Sequence, residues 1–140
     1  MTYVRSPAQA GDVILGLDHA TTALTTADDT EIHSYLIPCA GRLIAWGHQI
    51  TVTVVSPDQV PSLALETTDY DDATTTTEQD AVNIPAATAA ANAITWRNLD
   101  YGNGVAVTAG QHVRVVNKLH AHNVGGAGSV RHFVIFRPGA

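Results

Sequence analysis

Ile44, Trp46, Ile50, Val52 and Val54 fall on alternate positions of one stretch, with Ala45, Gly47, Gln49, Thr51 and Thr53 on the positions between. A repeat of two is the repeat of an extended strand with one face on a core; a helix repeats about every 3.6 residues. The pattern returns at 111–121. There Val113, Val115, Leu119 and Ala121 face one way, and His112, Arg114, Lys118, His120 and His122 the other. No comparable helical repeat stands against it. The expectation is an all-β, single-domain β-sandwich of the jelly-roll kind, with a domain over 13–140 behind an N-terminal arm of residues 1–12.

Finer expectations follow from local signals. Strands are expected at 32–37, 42–55, 62–67, 81–84, 94–98, 105–107, 111–121 and 129–137. Fourteen residues is long for one strand, and Gly47 reads as its bulge or bend. The Thr/Asp-rich stretch 68–80 reads as a surface loop. Pro85 opens an Ala-rich stretch, 86–93, that reads as one or two helical turns. Asp100-Tyr101-Gly102-Asn103-Gly104 reads as a turn. The last strand differs from the others. Val130, Val134 and Phe136 lie on one face, and Phe133 and Ile135 on the other. Burial on both faces suggests that a second subunit covers one of them.

Composition removes several function classes. A chain of 140 residues suits one domain with one sizeable core. With 45% hydrophobic and 14% charged residues it is neither a disordered chain nor a coiled coil. Ala (21), Thr (17) and Val (15) dominate, and Lys118 is the single lysine. The net charge is −6 with neutral histidines, and the seven basic residues are scattered. Phosphate binding needs clustered Lys and Arg, so nucleic acid is not expected as a partner. Cys39 stands alone, which excludes an intrachain disulfide. Met1 to Arg5 lacks the apolar run of a signal peptide, and no run approaches the ~20 residues of a membrane span. A soluble chain made in the cytoplasm is the expectation.

The candidate chemistry is sparse. His120-Ala121-His122 places two imidazoles on one strand face, as paired metal ligands sit, and His112 shares that face. In cupins a glutamate follows such a pair at short distance; here Asn123-Val124-Gly125-Gly126 follows, so no metal is expected. His48 falls on the apolar face of the long strand and reads as a core histidine. Asp69, Asp71, Asp72, Glu78 and Asp80 offer oxygen to calcium but lack the glycine and closing glutamate of an EF-hand. No nucleophile motif or phosphate cradle is present, and no catalytic residue or cofactor is expected. Trp46 and Trp96 are candidate platforms for a sugar ring, but Trp46 points with the core residues and reads as packing.

Three segments carry a resemblance. They are Pro38-Cys39-Ala40-Gly41-Arg42-Leu43-Ile44 opening the long strand, Val105 to Gln111 leading into His112, and Gly126-Ala127-Gly128-Ser129-Val130 leading into a strand that ends at Pro138. With the acidic, Ala/Thr/Val/Gly-rich composition, the chain resembles capsid decoration (cement) proteins of tailed bacteriophages. The resemblance implies a jelly-roll homotrimer on the outer surface of an icosahedral virion, bridging major capsid subunits. On that expectation Phe133, Ile135, His112, Arg114, His120 and His122 form the contact between protomers. Thr2, Tyr3, Val4 and Arg5 of the arm meet the capsid. The alternatives are a head-fibre, tail or baseplate protein, and, from another class, a carbohydrate-binding module.

Overall fold

The computed structural model describes residues 2–3, 8–16, 22–23, 30–55, 62–68, 76–85, 88–117 and 127–139. Eleven strands run through them: β1 (Thr2–Tyr3), β2 (Val13–Leu15), β3 (Thr22–Ala23), β4 (Thr30–Leu36), β5 (Gly41–Val55), β6 (Ser62–Thr68), β7 (Thr76–Asn83), β8 (Thr95–Asn98), β9 (Val105–Val107), β10 (His112–Asn117) and β11 (Ala127–Pro138). All pairings are antiparallel. The first sheet runs β1-β8-β5-β11-β2, with β9 also on β5 and β3 also on β11; the second runs β4-β10-β6-β7. The fold is a β-sandwich.

Leu43, Trp46, Ile50, Val130, Val134 and Phe136 of the first sheet meet Tyr35, Leu63, Leu65, Val113 and Val115 of the second, all buried. The long β5 is made possible by β11, which pairs along nearly its whole length. Its register shifts do not fall at Gly47; they lie between Leu43 and Ala45, between Ile50 and Val52, and between Val52 and Val55. Ala45 pairs with Ile135 and Leu43 with Phe136, so Ile44 is the extra residue. Ile44 therefore turns to the outer face, and Val52, also expected inside, is half exposed. Gly47 answers a different need. A Cβ there would lie 2.8 Å from both Trp96 Cε3 and Ile94 Cγ2, so the glycine makes room for a ring.

Two further expectations are corrected. Residues 76–80 form the first part of β7, because β-branched threonines suit an exposed edge strand as well as a loop. Residues 88–93 form no helix. Val54 N–H donates to the Thr88 carbonyl (2.9 Å) and Ala91 N–H to the Ile50 carbonyl (3.0 Å). The segment thus covers backbone of β5 that β8 and β9 leave unpaired.

The middle of the first sheet's outer face is also buried. Ile44, Ala45, Trp96, Phe133 and Ile135 form a second buried cluster, with Ala8, Ile14 and Ile94 packed against it. Phe133 is 2% exposed and Ile135 0%. The doubly apolar β11 is covered by its own chain, and its burial requires no second subunit. The N-terminal segment supplies part of that cover. β1 adds to the edge of β8, pairing Thr2 with Arg97 and Tyr3 with Trp96. Asp12 then accepts two bonds from Arg137 of β11, at 2.7 and 2.9 Å.

Candidate functional site: the cleft at the β7–β8 edge

Alternation along β8 sends Trp96 outward onto Gly47 and Arg97 inward beside Trp46. At the rim of the sandwich this inward arginine meets Asp80, on the edge strand of the opposite sheet. Arg97 Nε donates to Asp80 Oδ2 at 2.7 Å and Nη2 to Oδ1 at 3.0 Å, a bidentate pair between the sheets. The Trp46 indole N–H donates to the same Oδ2 at 2.8 Å. Burial pushes the Asp80 carboxyl up, but the bonds from Arg97 and Trp46 outweigh it and hold it below its ordinary range. Asp80 in turn holds the Arg97 guanidinium charged.

Immediately after β8 the chain makes a tight turn. Leu99 is buried, and its N–H donates to the Ile44 carbonyl at 3.0 Å. The Leu99 carbonyl accepts from Gly102 (3.0 Å) and Gly104 (3.1 Å), and Arg42 donates to the Gly104 carbonyl at 3.3 Å. Between these anchors Asp100 (φ 46°) and Tyr101 (φ 53°, ψ 27°) adopt left-handed backbone. That conformation costs non-glycine residues about 1–3 kcal/mol and persists only where the surroundings enforce it. Tyr101 is 100% exposed. With Gln79, Asp80, Arg97, Asn98, Leu99 and Asp100 it lines a cleft of about 430 Å³. The site joins an exposed aromatic ring to a fixed carboxylate–guanidinium pair.

The sequence-expected residues are dispersed by comparison. Trp46 and Trp96 are both buried (0% and 2% exposed), so neither offers a sugar platform. His48 lies inward as expected, directly across from His132 of β11. Burial, with a smaller contribution from Arg97, lowers its pKa to about 4. His112 is half buried on β10. Arg114 is ion-paired with Glu66 of β6 at 3.0 Å, half buried on the outer face of the second sheet. His120 and His122, Val4 and Arg5, and Asp69, Asp71 and Asp72 lie outside the described residues. Glu78 is exposed on β7, and Asp80 is committed to Arg97. Among the described residues no group of three His, Cys, Asp or Glu side chains has metal-binding geometry. Cys39 is an exposed free thiol.

Sequence reasoning missed Arg97 and Tyr101. Arg97 carried a signal, a charge beside Trp96 in an apolar strand. Tyr101 carried one too, an aromatic residue inside a Gly/Asn-rich turn that has no core to fill. No family model matches the chain, and comparison with curated proteins and with solved structures gives no match.

Proposed function

We propose that the protein is a structural, non-enzymatic virion component that decorates the outer surface of an icosahedral phage capsid and bridges major capsid subunits. The strand order carries this reading. β2 and β3 both pair with β11, and β8 and β9 both with β5, so each pair counts as one interrupted strand. Nine strands then remain; with β1 set aside as an addition at the edge of β8, the other eight, numbered in chain order, lie in sheets ordered 6-3-8-1 and 2-7-4-5, which is the order of a jelly roll. That is the architecture the resemblance to decoration proteins implies.

Other features support it. The first sheet carries a buried cluster on each face and is clasped to the second, as suits a block repeated over a lattice. β1 ends its sheet, and its far side has no strand partner among the described residues. The proposed capsid contact through Thr2, Tyr3, Val4 and Arg5 takes that edge, with strand addition as its physical basis. Many modest contacts on one lattice give avidity. A homotrimer, the other part of the proposal, places His112, Arg114, His120 and His122 between protomers. Co-sedimentation with empty capsids stripped of the protein tests the reading. Binding that saturates at a fixed copy number per capsid is expected; protein that stays in the supernatant at all ratios overturns it.

A further inference from the structure

We propose that the cleft beside Tyr101 is a binding site for a neutral hexose. The proposal does not depend on capsid binding. The observation behind it is one juxtaposition: a fully exposed tyrosine ring held in strained backbone over a cleft of about 430 Å³ that contains the Asp80–Arg97 pair. Clefts of this size hold small ligands.

Each part suits a pyranose. A sugar ring presents a face of polarised C–H groups, and an aromatic face carries the negative charge of its quadrupole to meet it. Tyr101 is wholly exposed, so its ring fills no place in the core and is open to a ligand. Vicinal hydroxyls both donate and accept. A carboxylate accepts only, and a guanidinium donates only, with five N–H groups of which Asp80 takes two. Held at 2.7 Å by Asp80, the guanidinium offers its remaining donors with little ordering cost on binding, and Asp100, also lining the cleft, carries the carboxylate acceptor. The bond from Trp46 and the anchoring of Leu99 fix the pair and the turn against the core. Two carboxylates, Asp80 and Asp100, and one guanidinium, Arg97, line the cleft. The local balance is negative, which favours a neutral sugar over an acidic one.

The test is a titration of the isotope-labelled protein with glucose, galactose, mannose, N-acetylglucosamine and glucuronate, each at millimolar concentration, read by amide chemical shifts. At least one neutral sugar is expected to give saturable shifts confined to residues of β7, β8 and the 99–104 turn. Tyr101→Ala should weaken that binding about tenfold, and Tyr101→Phe, which keeps the ring, should leave it unchanged. Because Tyr101 is wholly exposed, both variants should keep the parent spectrum elsewhere. Absence of saturable shifts with all five sugars overturns the proposal. So do shifts that map elsewhere or persist in Tyr101→Ala, and so does tighter binding of glucuronate than of glucose.

Discussion

His48 and Gly47 are neighbours on β5, and both are explained by what lies across from them. His48 sits in the core layer with Trp46 and Ile50, facing His132 of β11, Thr95 of β8 and the nearby Arg97 charge, which Asp80 of β7 balances. An unfolded histidine titrates near 6.5, whereas His48 in the fold stays neutral down to about 4. Between those values the unfolded chain binds a proton that the fold excludes. Stability therefore falls as pH drops through that window and levels off below it, a loss on the order of 3 kcal/mol. Urea unfolding of His48→Gln, compared with the parent at neutral pH and at about pH 4, should show a loss smaller by that amount. An equal loss in both proteins would place the acid sensitivity elsewhere. Gly47→Ala sets a methyl against Trp96 and Ile94, and overpacking of this kind should cost about 1–3 kcal/mol in the same assay.

At the scale of elements, the alternation in β5, β10 and β11 was legible because each strand has one face on the core between the sheets. What was not legible was which neighbour supplies the second face of β11. Phe133 and Ile135 announce burial, but sequence cannot distinguish another subunit from Ala8, Ile14 and Trp96 of the same chain. Ile44 misled for a related reason: a bulge shifts parity, and no residue type marks it here. The polar edge strand β7 and the extended 88–91 segment were hidden because edge positions carry little hydrophobic signal. Of the cleft, the 100–104 turn and Asp80, read as an oxygen donor for calcium, were legible; Arg97 was not, and only the fold brings the three together. Phe133→Ala should accordingly lower stability by about 3–5 kcal/mol, a core-cavity effect read as a reduced urea midpoint. A variant with parent stability and altered oligomer mass would restore Phe133 to a subunit interface.

The whole molecule is a sandwich fastened at more than its core. Arg97 and Asp80 join the two sheets at one rim, and Asp12 with Arg137 ties the N-terminal segment to the last strand. Asp80→Ala leaves the partly buried Arg97 and the Trp46 N–H without their acceptor, and should cost about 1–3 kcal/mol. Trp46 fluorescence should report the opening of that rim; a parent spectrum and midpoint would show that the clasp is dispensable. A block whose edge strand β1 has no strand partner on its far side among the described residues is suited to a repeating protein lattice. The most direct test is a cryo-EM reconstruction of capsids stripped of this protein, with and without its addition. Added density of jelly-roll size, at fixed sites on the outer surface and touching more than one major capsid subunit, is the expected result. Capsids that look identical with and without the protein, or density confined to the tail, would contradict it.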